Sequence, residues 1–152
     1  DNKTDYIKRL IGLPGDRIQV LDGKLLLNDK VVPTKEIAQT KADMAESVIR
    51  STETLPSGKT YVTQDLGPYG QADNTTVFLV PPGHYFMMGD NRDNSSDSRV
   101  DPNVGGVGFV PAENLEGKAQ MILFSWGEGA SFFKPWTWFT KARPGRFFHV
   151  LQ

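Results

Sequence analysis

The segment GDNRDNSSDSR, Gly89 to Arg99, crowds carboxylates, hydroxyls and guanidinium groups into one short stretch directly after the apolar run Tyr85-Phe86-Met87-Met88. Short polar side chains gathered in this way can ligate a metal, fold a turn, or brace a catalytic group. Asp93, Ser95 and Asp97 alternate like the start of a calcium loop, which takes oxygen ligands at its first, third and fifth positions, Gly at the sixth and Glu at the twelfth. Here the sixth position is Ser98 and the twelfth is Val104. Arg92 and Arg99 also put positive charge where a cation would sit, so no metal site is expected. A solvated turn remains open, because Asn, Asp, Ser and Gly bend a chain through side-chain to backbone hydrogen bonds.

A second segment, YIKRLIGLPGD from Tyr6 to Asp16, places Lys8 in a run whose other members are largely apolar. Burial disfavours an ammonium ion, and a lysine amine that is neutral near pH 7 can act as a general base. Such a base needs orienting, and a hydroxyl such as that of Ser95 can hold an amine without adding charge to it. The alternative is a lysine on a strand edge, its stem over apolar surface and its ammonium in water.

Composition narrows the setting. The chain has 152 residues, 38% of them hydrophobic, enough for one real core and a smaller lobe. A formal net charge of −1 gives no bulk basicity to attract nucleic acid, and no nucleic-acid partner is expected. The absence of cysteine excludes disulfide scaffolds, thiolate zinc sites and thiol nucleophiles. No run of about 18 apolar residues marks a membrane-crossing helix, and DNKTDYIKR is too polar for a signal sequence, so the chain as it stands is expected to be soluble.

Taken in order, KRLIGLPGD and GDNRDNSSDSR, with VPPGHYFMMGDN leading into the second and GFVPAENLEGKA following it, resemble bacterial type I signal peptidase. That family is a membrane-bound serine endopeptidase that removes signal peptides from exported preproteins. The resemblance implies that a serine attacks the scissile carbonyl and that a lysine takes its proton. Carried over by motif position, Lys8 is the general base and Ser95 the hydroxyl that orients its amine. Asp97 and Arg99 form a charged scaffold, with Arg9 and Asp90 as further partners; Asp90 could equally brace the loop, and Arg92 could pair with Asp93. Tyr6 and Met87 match positions lining the lysine's apolar surroundings. Asp5, Tyr6 and Ile7 match the strand that pairs with an extended substrate. The resemblance implies no cofactor, and it implies signal peptides and interfacial lipid as partners. It also implies a place at the bacterial cytoplasmic membrane, with the catalytic domain on the periplasmic side. His84 and His149 lie in neither motif, so a Ser-His-Asp triad is not the reading.

One departure bears on activity. The family's nucleophile lies in a Ser-Met-x-Pro motif upstream of the lysine, and no such motif occurs in this chain. Ser57, in LPSGKT, lacks the flanking pattern and is not nominated. The chain is therefore expected to hold the base and its scaffold without the nucleophile, as a fragment that does not cleave by itself. A nonhydrolytic peptide-binding module of the same fold is the alternative function, and a calcium-dependent interaction domain a more remote one.

The elements that must position these groups are mostly strands. TDYIKRLIGL reads as a strand ended by Pro14-Gly15-Asp16, and RIQVLDGKLLLNDKVV as short strands, with Asp22-Gly23 a two-residue hairpin turn. VIRSTETLPSGKTYVTQDL reads as a hairpin with Pro56-Ser57-Gly58 at its tip, and residues 36–47 as a short helix or a mobile loop. Two strands flank Pro81-Pro82-Gly83, and KAQMILFSW, apolar on both faces, is expected to be a buried strand. The expected fold is mainly antiparallel β, with residues 1–20 and 78–130 as catalytic core, 21–77 as a smaller β-rich insertion, and 131–152 as an aromatic, basic segment. In that last segment Phe132, Phe133, Trp136, Trp138, Phe139, Phe147 and Phe148 interleave with Lys134, Lys141, Arg143 and Arg146. Such a mixture suits a membrane interface or the cover of a β core, and Pro135 and Pro144 argue against one long helix.

Overall fold

The computed structural model describes residues 5–45, 47–125, 134, 136–143 and 147–150. Two compact units divide the chain, one through Glu116 and one from Gly117. The first carries strands β1 (Arg9–Gly12), β2 (Arg17–Leu21), β3 (Lys24–Leu27), β4 (Lys30–Val31), β5 (Thr34–Glu36), β6 (Ile49–Thr54), β7 (Thr60–Asp65), β8 (Phe78–Leu79), β9 (His84–Met88) and β10 (Val110–Pro111), with a short helix α1 (Lys41–Ala45) before β6. These strands make three antiparallel sheets, in the orders β1-β9-β10, β4-β3-β2-β8 and β5-β6-β7. The mainly antiparallel β class expected from the sequence is the class observed.

Alternation explains the core. Ile18 and Val20 of β2 and Leu25 and Leu27 of β3 are buried, whereas Arg17, Leu21 and Lys24 are exposed. Burying a side chain such as Leu25 contributes about 2 kcal/mol. Asp22 and Gly23 adopt φ of 48° and 72°, the left-handed pair that a two-residue hairpin turn needs. Asn28 and Asp29, at 53° and 63°, make the same kind of turn between β3 and β4. The sheet joins residues on both sides of position 21, because β2 also pairs with β8 (Ile18 opposite Phe78). Phe86 and Met88 of β9 enter the same core, and Phe86 packs near Phe78 and Phe109 at ring separations of 5.1 and 6.1 Å.

Within the segment 36–47, Lys41–Ala45 form the short helix α1. Thr40 caps it: its hydroxyl accepts from the Asp43 N–H at 3.1 Å, and the Asp43 carboxylate accepts from the Thr40 N–H at 2.7 Å.

The second unit contains β11 (Met121–Ile122), α2 (Trp136–Thr140) and β12 (His149–Val150). The buried strand expected over KAQMILFSW is not what forms. Among its described residues only Met121–Ile122 is strand, paired with β12 over two residue pairs, and Met121, Leu123 and Phe124 are exposed. A two-residue ladder gives one short neighbour, too little to cover both faces of the run. Phe124 packs edge-on to Phe147 and Phe148 at 5.6 and 5.9 Å. Trp136, Phe139 and Phe148 are exposed, while Phe132, Phe133, Pro135, Pro144 and Arg146 lie outside the described residues. Among the described residues no helix is long and apolar enough to cross a membrane.

Candidate active site

Antiparallel pairing of β1 with β9 sets Arg9 opposite Met88, so Lys8 meets the beginning of the 89–99 loop. The half-buried Lys8 Nζ donates to Ser95 Oγ at 2.7 Å, across 87 residues of sequence. Gly89 permits this approach, since a Cβ there would collide with the Ser95 side chain. Ser98 clasps the next position of β9: its hydroxyl accepts from the Met87 N–H at 2.8 Å and its own N–H donates to the Met87 carbonyl at 3.0 Å. The loop is therefore sewn to β9 three residues beyond Ser95.

Asp97 and Arg99 form the frame behind that contact. Asp97 is fully buried, and Arg99 donates to both of its oxygens, Nε to Oδ1 at 2.9 Å and Nη2 to Oδ2 at 2.8 Å. The Gly89 N–H adds a bond to Oδ2 at 2.9 Å. Burial alone would raise the Asp97 carboxyl; the bonds and charge of Arg99 and the Gly89 N–H outweigh it and hold the group below its ordinary value. Arg9 is gripped by Asp90 through two bonds of 2.7 and 2.9 Å, chiefly the cause of its raised pKa.

Arg92 does not pair with Asp93, the pairing that their adjacency suggested. It donates two bonds, 2.6 and 2.5 Å, to Glu53 of β6, and both residues are buried. Burial would lower the guanidinium, yet Glu53 raises it above its ordinary value. Tyr61, opposite Glu53 in the β6–β7 ladder, donates its hydroxyl to the same carboxylate at 2.8 Å. Burial first, and then the Glu53 charge, push its phenol well up. The sequence reading missed Glu53 and Tyr61. Their signal was the hairpin itself, whose Pro56-Ser57-Gly58 tip fixes the register that faces them to each other.

Asp93 turns toward other partners. It accepts from the Leu66 N–H at 2.8 Å, and one carboxylate oxygen from each of Asp65, Asp73 and Asp93 lies within 4.8 Å of the others. Burial, and then the charges of Asp93 and Asp73, raise the Asp65 carboxyl, against the lowering effect of the Gly67 N–H.

The expected substrate-pairing residues lie just ahead of β1. Asp5, Tyr6 and Ile7 are exposed and carry no strand, because β9 ends at Met88 opposite Arg9 and leaves them without a partner. Lys8 Nζ lies 5.9 Å from the Tyr6 ring centroid, and Met87 is half-buried in β9 opposite Leu10. The structure thus brings Lys8, Ser95, Arg9, Asp90, Asp97, Arg99 and Met87 into one neighbourhood, with residues 5–7 open to solvent beside it.

A lysine amine held by an uncharged hydroxyl, with the nearby carboxylates Asp90 and Asp97 each occupied by an arginine, can exchange a proton with a group brought to its open side. The chain's sequence is similar to that of known proteins. The family model described as "Signal peptidase, peptidase S26" matches residues 1–126. The signal peptidase I of Rickettsia conorii is 47% identical over 131 residues, covering 82% of this chain and 47% of that protein. The enzyme of Rickettsia typhi is likewise 47% identical, with 82% and 48% covered. A solved signal peptidase I from Enterococcus faecalis is 27% identical over 72% of this chain and 78% of that one, with a TM-score of 0.37. The chain spans about half the length of the curated relatives it matches.

Proposed function

The chain belongs to the signal peptidase family, peptidase S26, and from that membership we propose that it carries the general base of a serine endopeptidase acting on the signal peptides of exported preproteins. The observation that carries this reading is the 2.7 Å bond from Lys8 Nζ to Ser95 Oγ. Ser95 accepts from the amine and so fixes its direction, leaving a lone pair of the uncharged form for the hydroxyl of a nucleophilic serine. Lys8 takes that proton as the serine attacks the scissile carbonyl, then returns it to the leaving amine. Asp97 and Arg99 hold the loop that bears Ser95, and Asp90 fixes Arg9, the residue after the base.

Residues 5–7 support substrate recognition by strand addition. Residues 5–7 are exposed and unladdered beside the amine, so an extended peptide can pair there, with Tyr6 and Met87 close to its side chains. The exposed aromatics Trp136, Phe139 and Phe148 support contact with a lipid interface, and membership of the signal peptidase family supports placing that interface at a bacterial cytoplasmic membrane.

No Ser-Met-x-Pro motif occurs in the chain, and we expect the 152-residue polypeptide alone not to cleave a signal-peptide substrate. The test joins it to an upstream segment carrying that motif. Lys8→Ala should then lower kcat by about a thousandfold or more without changing the thermal midpoint. Ser95→Ala should cost less, because other groups can partly orient an amine. A folded Lys8→Ala enzyme that still cleaves overturns the base assignment.

A further inference from the structure

Arg9, which follows the base, does more than meet Asp90. Its guanidinium lies 4.0 Å from the centroid of the Tyr61 ring, so the ring face of a buried tyrosine receives the cation. The other end of Tyr61 donates to Glu53, Glu53 binds Arg92 through both oxygens, and the Arg92 carbonyl accepts from Arg99 Nη2 at 2.5 Å. Arg99 holds Asp97, and Asp97 holds the N–H of Gly89, next to Asp90. The contacts close a ring that leaves β1 at Arg9, passes through the β6–β7 hairpin and returns through the loop bearing Ser95. Two backbone bonds run beside it, Gln64 N–H to the Asp90 carbonyl at 2.7 Å and Arg92 N–H to the Gln64 carbonyl at 2.8 Å.

A buried ion pair is a poor source of stability, because an apolar pair of similar volume often does as well or better, and register is the better-attested use of such a pair. We propose that Tyr61 and Glu53 are positioning residues that hold the Lys8 amine and the Ser95 hydroxyl in register, acting through Arg9 and Arg92. This assignment rests on Lys8 being the base. Tyr61 suits the task because a single side chain touches both sides of the site, its ring on the β1 side and its hydroxyl on the loop side.

The test reads the amine itself and needs no cleavage. Acetylation of Lys8 is followed by mass spectrometry across pH in the 152-residue chain, in Ser95→Ala, Tyr61→Phe and Glu53→Gln, and in Thr54→Val, which alters only the exposed Thr54–Thr60 pair on the same hairpin. Near-UV circular dichroism checks that each is folded. Ser95→Ala should move the profile, Tyr61→Phe and Glu53→Gln should move it the same way by about a third as much or more, and Thr54→Val should leave it in place. Tyr61→Phe keeps the ring and the core, so it reports even if Glu53→Gln fails to fold. A Tyr61→Phe profile superimposed on the wild type, with Ser95→Ala still displaced, overturns the inference and leaves the base assignment standing. If Ser95→Ala is itself without effect, the orienting contact and the inference fall together, whereas the base assignment stands or falls separately on cleavage by Lys8→Ala.

Discussion

The β4-β3-β2-β8 sheet and the 89–99 loop with its β6–β7 hairpin are built on opposite principles within one unit. The sheet is held by aliphatic burial around Ile18, Val20, Leu25, Val32 and Val80. Such burial is non-directional and tolerates exchange of one apolar group for another of similar volume. The loop is held by buried charges, Arg92 on Glu53 and Arg99 on Asp97, whose bonds work only at particular distances and angles. One region provides stability cheaply and the other fixes geometry at the cost of desolvating ions, and the atoms with chemistry in them lie in the second.

The contrast breaks most visibly at Glu53. Glu53→Ala strands the Arg92 guanidinium in the interior and should destabilise by about 4 kcal/mol, read from urea unfolding followed by far-UV circular dichroism, which reports the strands of the first unit. Replacing both partners, Glu53→Leu with Arg92→Met, should recover most of that loss while leaving Lys8 and Ser95 less well registered. In the sheet, Leu25→Ala should cost about 3 kcal/mol, and Leu25→Met under about 1.5 kcal/mol. If Glu53→Ala were as mild as Leu25→Met, the hairpin would not be anchored by its ion pair.

The two regions also differ in how far they can be read from sequence. The sheet was legible because its determinants are local: alternating apolar residues in RIQVL and KLLL, and a turn at Asp22-Gly23 that tolerates positive φ. Lys8 and Ser95 are 87 positions apart, and no periodicity joins them; they were found through the resemblance of two motifs to a family. The Glu53–Arg92 pair carried no such label. Glu53 stands in IRSTET, a strand so polar that nothing in its composition says which face turns inward. The KAQMILFSW run departs from its expected burial for the opposite reason, because an apolar run is buried only where another surface is there to cover it, and β11 has a two-residue partner.

A smaller effect comes from acid. The folded-state pKa of Asp97 lies below its unfolded value of about 3.9, so its contribution is present above roughly pH 4 and is lost as pH falls through the folded value. Stability measured from pH 6 downward should fall over that window. In Asp97→Asn the protein should be weaker at pH 6, and the fall should be shallower. An acid limb identical in both would show that the Asp97–Arg99 pair does not contribute to it.

Asp65 should behave in the reverse sense, and by the smallest amount. Its folded-state pKa is raised by burial and by Asp93 and Asp73, so the stability tied to its protonated form is present below about pH 4 and is lost as pH rises through the folded value. Ionising Asp65 therefore costs the native state more than it costs the unfolded chain. Asp65→Asn removes that charge and can keep the bond that Asp65 Oδ1 accepts from the Gly67 N–H at 2.7 Å. The variant should be modestly more stable than the wild type at neutral pH, with the advantage shrinking as pH falls and the wild-type carboxyl takes up its proton. Because Asp93 is the trio's member in the 89–99 loop, relief of this repulsion should tighten the loop without touching the Glu53–Arg92 pair. Urea midpoints at several pH values decide it: a loss of stability at pH 7 in Asp65→Asn would mean that the ionised carboxylate is held by attraction, not tolerated against repulsion.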